Sequence, residues 1–93
     1  MIKHIVMWTL HDKSDATLVK NTLEGLKDKV PSIIDIEVGI DFSATDASAD
    51  VILYSTFANR DELNAYVAHP DHQAVIPMMQ RVTTSRKVVD YEV

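Results

Sequence analysis

With 93 residues and no cysteine, the chain suits one small domain and has no disulfide, thiolate metal site or thiol nucleophile to draw on. Its 46% apolar and 25% charged content is that of an ordinary globular protein, neither disordered nor membrane-embedded. Nine Lys and Arg against 14 Asp and Glu give a formal charge of −5, and without a basic cluster this argues against nucleic acid and anionic membrane surfaces as partners.

From Ile2 to Leu10 the residues alternate between two faces of a strand. Ile2, His4, Val6, Trp8 and Leu10 share one, and Lys3, Ile5, Met7 and Thr9 the other. Apolar groups on both faces suit a strand between two layers. His4 is the one titratable group on the even face, and Trp8, a core candidate, could line a cavity with it. This apolar opening is too short to span a membrane and lacks a small-residue cleavage site, so a cytoplasmic location is the default expectation.

Ser14 is expected to cap a helix running to about Val30, where Pro31 stops it. Leu18, Thr22, Leu23, Leu26 and Val30 form its expected apolar stripe. Gly25 inside it costs about 1 kcal/mol relative to alanine, which a close approach of another backbone or a ligand would explain. Ile34, Ile36, Val38, Ile40 and Phe42 alternate with Asp35, Glu37, Gly39 and Asp41, a strand with one wet face. Ser43–Asp50 reads as a polar, mobile loop and Val51–Phe57 as a third strand.

Asn59 and Glu62 form a capping pair for the next helix. A proline suits the first helical position but not an interior one. One helix therefore ends near His69 and another starts at Pro70, turning Val75, Ile76, Met79 and Val82 inward with a kink at Pro77. Arg86–Glu92 closes the chain as a strand. Strand, helix, strand, strand, two-part helix, strand is the ferredoxin-like βαββαβ order. The expected fold is thus one α+β domain over residues 1–93, a four-stranded antiparallel sheet with helices on one face. Ile5 and Met7 put apolar groups on the bare face, so a second copy is expected to cover it as a homodimer.

His72 falls in the first turn of the Pro70 helix, where unpaired backbone N–H groups favour the neutral imidazole, a form able to act as a base. Tyr66 would donate a hydrogen bond to an enolate or oxyanion. A purely structural reading competes: Tyr66 and His69 hold the bend and His72 merely caps. His69 and His72 are three apart, but His69 precedes the proline and points elsewhere, so no metal site is expected. The serines show no nucleophile-elbow glycine pattern.

Ile2–Lys3–His4–Ile5–Val6, Phe57, Leu63, Tyr66–Val67–Ala68–His69–Pro70–Asp71–His72 and the terminal Asp90–Tyr91 together resemble the stress-responsive α/β-barrel family of dimeric α+β barrels. That resemblance covers nearly the whole chain and implies an α/β-barrel homodimer. It also implies a small-molecule pocket with His72 as acid/base, aided by Tyr66 and His4, as in the family's polyketide cyclase branch. Pocket positions of that branch correspond to Leu23, Leu26, Leu53 and Val88, aliphatic where the cyclase is partly aromatic. The functional expectation is cyclase- or isomerase-like proton transfer on a small apolar ligand without a cofactor. The alternatives are a non-enzymatic stress-related interaction protein and a cofactor-free monooxygenase.

Overall fold

The period-two alternation of Ile2–Leu10 becomes an interior strand in the computed structural model, which describes residues 1–93. Strand β1 (Ile2–Leu10) pairs antiparallel with β3 (Val51–Phe57) on one side and β4 (Thr83–Glu92) on the other. Strand β2 (Asp35–Ile40) pairs antiparallel with β3, giving the order β2-β3-β1-β4. Ile2, Val6, Trp8 and Leu10 of β1 are buried in one hydrophobic core with Val19, Leu23, Leu63, Tyr66, Met79 and Val82, and His4 on the same face is buried as well. Those partners belong to α1 (Ala16–Glu24), α2 (Arg60–Ala68) and α3 (Pro70–Val82), so all three helices cover the same face. The architecture is the ferredoxin-like βαββαβ fold that the element order predicts.

The first helix departs from expectation at both ends. Asp12, not Ser14, is the cap: its carboxylate accepts the Ser14 N–H at 2.9 Å, and a 3-10 turn at Lys13–Asp15 leads into α1. The α-helix stops at Glu24 and tightens into a 3-10 turn over Gly25–Asp28. The buried stripe is Ala16, Val19, Leu23, Leu26 and Val30, whereas Leu18 is 46% exposed. Leu18 lies about 100° around the helix from Val19, and Val19 takes the inward place. Gly25 is no close approach either, because a Cβ there would meet nothing within 4 Å.

Helix α1 also secures the β2 edge of the sheet. Glu24 accepts the Val38 N–H at 3.0 Å, and Lys20 Nζ donates to the Val38 carbonyl at 2.6 Å and to Glu24 at 2.9 Å. Those backbone groups are ones that an additional strand would otherwise use. The bond from Val38 and the Lys20 ammonium hold the Glu24 carboxyl below the usual carboxylate range.

Strand β2 ends at Ile40, two residues before the predicted limit, and Phe42 projects into solvent at 96% exposure. Asp41 ends it by accepting the Ala44 N–H at 2.8 Å in a turn where Ala44 has a positive φ of 52°. The polar 43–50 loop is anchored at its end: Asp50 donates its N–H to Trp8 O at 2.9 Å and accepts the Leu10 N–H at 2.7 Å.

The helix pair follows prediction more closely. Asn59 Oδ1 accepts the Glu62 N–H at 2.9 Å. His69 is extended between α2 and α3, Pro70 is the first residue of α3, and His69 Nδ1 accepts the Asp71 N–H at 3.1 Å as the cap. Pro77 stays inside one continuous α3. Strand β4 starts at Thr83, earlier than Arg86.

Candidate active site

The His69–Pro70 bend turns the start of α3 back toward the end of α2, and between these helices and the sheet lies an open cavity of about 360 Å³. His4, Val6 and Trp8 of β1, Leu23 of α1 and Leu53 of β3 form its floor and sides. Tyr66, His72, Val75, Ile76 and Met79 form its helical wall. Most of this lining is apolar, and its polar groups are concentrated at two histidines, one tyrosine, two glutamines, Thr83 and Arg86.

His72 is fixed by the bend itself. Its Nδ1 is 3.0 Å from the Val67 carbonyl, and a carbonyl only accepts, so Nδ1 carries the proton. In the neutral ring Nε2 then holds a lone pair, and it has no hydrogen-bond partner within the chain. Burial pushes the His72 pKa below the ordinary histidine value, with the charges of His4 and Arg86 adding to the effect and the Val67 bond opposing it. The backbone contact of the structural reading and the base of the chemical reading are thus two nitrogens of one ring.

Tyr66 is 1% exposed, and its ring centre is 4.4 Å from that of His72. Burial pushes its pKa up to about 12, against a smaller opposing pull from Arg86. The hydroxyl therefore stays protonated at neutral pH and can donate a hydrogen bond.

His4 reaches the same cavity from β1, where it is buried and 6.1 Å from Tyr66 between ring centres. The β1–β4 register places it opposite Asp90, and Nδ1 is hydrogen-bonded to Asp90 Oδ1. That bond fixes ring orientation and leaves Nε2 as the remaining nitrogen of His4. Asp90 was visible in the sequence only as part of the terminal Asp90–Tyr91 pair. Its partnership with His4 spans nearly the whole chain, and only the register of two strands reveals it.

Six of the eight predicted site residues line this cavity: His72, Tyr66, His4, Trp8, Leu23 and Leu53. The other two do not. Leu26 is buried in the core below it, at 1% exposure, and Val88 is on the edge strand at 38% exposure. Arg86, Gln73 and Gln80 also line the cavity; as single polar residues on a strand and a helix they belong to no motif that would mark them in the sequence. Among the histidines and carboxylates, no cluster of three is placed to hold a metal ion. No helix is long and apolar enough to cross a membrane.

Residues 2–93 match the family described as the stress responsive A/B barrel domain. The chain belongs to that family. This A/B barrel domain chain is 32% identical to a dimeric protein of unknown function with a ferredoxin-like fold from Bacteroides fragilis. That structure matches it over 99% of this chain and 95% of the other with a TM-score of 0.82. The hydroxynitrile lyase from Passiflora edulis is 13% identical, with a TM-score of 0.86 over 99% of this chain and 92% of its own, a likeness of fold alone. The stress-response A/B barrel domain-containing protein DABB1 of Arabidopsis thaliana is 25% identical over 98% of this chain. The A/B barrel chain spans about half the length of that curated relative, 46%.

Proposed function

We propose that this A/B barrel domain acts as a homodimer whose cavities carry out cofactor-independent proton transfer on a small, largely apolar substrate, in a reaction of the lyase, cyclase or isomerase type. One observation carries the reading: the same open cavity is lined by His72, whose Nε2 has no partner within the chain, and by Tyr66, whose ring centre is 4.4 Å from that of His72. His72 Nε2 takes a proton from an acidic carbon or hydroxyl of the substrate. Tyr66 donates a hydrogen bond to the oxyanion that develops, and His4, oriented by Asp90, supports the pair from the sheet side. A substrate that fills the space between the apolar walls displaces water from it, which strengthens both interactions.

The homodimer is supported by the dimeric Bacteroides relative and by the face of the sheet opposite the helices. Met7, Ile52, Val89 and Tyr91 there are each more than a third exposed. No residue of the cavity favours the monooxygenase or the non-enzymatic alternative over this reading.

The test is deuterium exchange in D2O, followed by proton NMR, at the α-carbon of small apolar ketones. The protein is expected to accelerate exchange above the buffer rate, and His72→Asn to abolish that acceleration while keeping the fold. Exchange at the buffer rate across a series of alkyl and aryl ketones would count against proton transfer.

A further inference from the structure

Arg86 is the only charged side chain other than histidine among the residues that line the cavity, and no Asp or Glu lines it. It projects from β4 opposite Trp8, on the strand face it shares with Val88, Asp90 and Glu92. Both carboxylates of that face are committed elsewhere: Asp90 to His4, and Glu92 to Arg60 at 3.4 Å. Arg86 has no ion-pair partner within the chain, although acidic residues outnumber basic ones by 14 to 9. A guanidinium offers a planar fork of N–H donors that fits a carboxylate in two parallel hydrogen bonds. Beyond it the cavity is walled by Val6, Leu23, Leu53 and Met79, which suit a hydrocarbon or aryl body.

We infer that the cavity selects ligands with an apolar body and one carboxylate, with Arg86 as the residue that binds the carboxylate. This rests on the reading of the cavity as a ligand site and narrows its substrate class from neutral apolar molecules to apolar carboxylic acids. Arg86 lines the same cavity as Tyr66 and His72, and its charge influences the titration of both, so a carboxylate held there shares the cavity with the acid/base pair. The negative net charge of the chain repels anions in general, so such binding depends on this local group.

Trp8, the single tryptophan, lines the cavity and reports on its occupancy. Its fluorescence is followed while 4-butylbenzoate, or the methyl ester of that acid, is added to the wild-type protein. The acid is expected to bind at least about tenfold more tightly than the ester, a difference of about 1.4 kcal/mol. Arg86→Gln is expected to erase the preference with ester affinity unchanged, and Arg86→Lys to restore part of it, since Lys keeps the charge without the fork. Equal affinities for acid and ester, an acid preference that survives in Arg86→Gln, or no binding of either up to millimolar concentration would each overturn the inference. Ketone exchange tests proton transfer separately: a wild type that prefers the acid but exchanges ketones only at the buffer rate would overturn proton transfer and leave the carboxylate inference standing, whereas accelerated exchange with equal acid and ester affinities would do the reverse.

Discussion

Tyr66 and His72 belong to different helices, yet their ring centres lie 4.4 Å apart. The extended His69 and the missing N–H of Pro70 end one helix and start the next, and the resulting turn brings the two rings together. The same turn exposes the Val67 carbonyl to His72 Nδ1, so the bend sets position and tautomer at once.

The first expected consequence concerns pH. Burial lowers the His72 pKa, so folded His72 binds its proton less readily than the unfolded chain does. The base form then persists below 6.5, the ordinary histidine value, and any His72-dependent exchange should lose activity along an acid limb that also lies below 6.5. Stability follows the same sign: the contribution of His72 is fully present above 6.5 and is lost as pH falls through the lowered pKa, because the unfolded state takes up the proton first. An NMR titration of the His72 ring protons checks this directly, and a midpoint at or above 6.5 would contradict it.

Tyr66→Phe should separate the hydroxyl from the ring. The ring packs with His72 at 4.4 Å and with Phe57 at 5.1 Å, and phenylalanine keeps both contacts, so the melting temperature should change little. Loss of the donor should reduce turnover by about 100-fold, the usual cost of removing one oxyanion donor. Steady-state rates alongside thermal melts test this; unchanged turnover with an intact fold would remove Tyr66 from the chemistry.

Asp90→Asn probes the opposite wall. The carboxylate fixes the His4 ring through Nδ1, and an amide can present either oxygen or NH2 to it, so the tautomer is no longer set. A drop in exchange of about tenfold is expected from loss of such an orienting partner. In the NMR spectrum the Nδ1–H resonance of His4 should broaden or disappear, whereas a partner that only packs would leave that resonance in place.

How much of this was legible in the residues depends on the distance over which each signal acts. Local rules sufficed for β1, for the Asn59 cap and for the break at His69–Pro70, because alternation, a side-chain acceptor and a missing N–H all act within a few residues. They failed where neighbours competed. Asp12 outcompetes Ser14 as a cap because its carboxylate is two residues before the free N–H it satisfies, and Val19 displaces Leu18 from the buried stripe. The His4–Asp90 bond and the place of Arg86 across from Trp8 follow from strand register, which couples positions at the two ends of the chain. Val88 shows the converse: it shares a strand face with Arg86, opposite Val6, yet does not line the cavity.

The bare face of the sheet carries the dimer prediction. Met7 and Ile52 are cross-strand partners there, and Val89 is paired with Ile5 in the adjacent row. Introducing like charges at Ile52→Glu and Val89→Glu should separate the copies, because burying unpaired carboxylates in an apolar interface costs several kcal/mol. Light scattering should report twice the 10.4 kDa chain mass for the wild type and the single-chain mass for the double variant. A wild type with single-chain mass would refute the homodimer outright.

Gly25 offers a stability test independent of the cavity. Its φ of −62° and ψ of −18° lie in the right-handed helical region, so alanine fits without backbone strain. The added methyl meets nothing within 4 Å, so there is no clash to offset the gain. Alanine narrows the conformations open to the unfolded chain, and Gly25→Ala should stabilise the protein by about 0.4–1 kcal/mol. Gly39→Ala makes the contrasting case, since its Cβ would come within 3.1 Å of Ile52 Cγ2 on the bare sheet face. Urea unfolding curves with equal slopes for all three proteins give the comparison, and a Gly25→Ala variant less stable than wild type would mean that the glycine serves a conformation other than the one seen here.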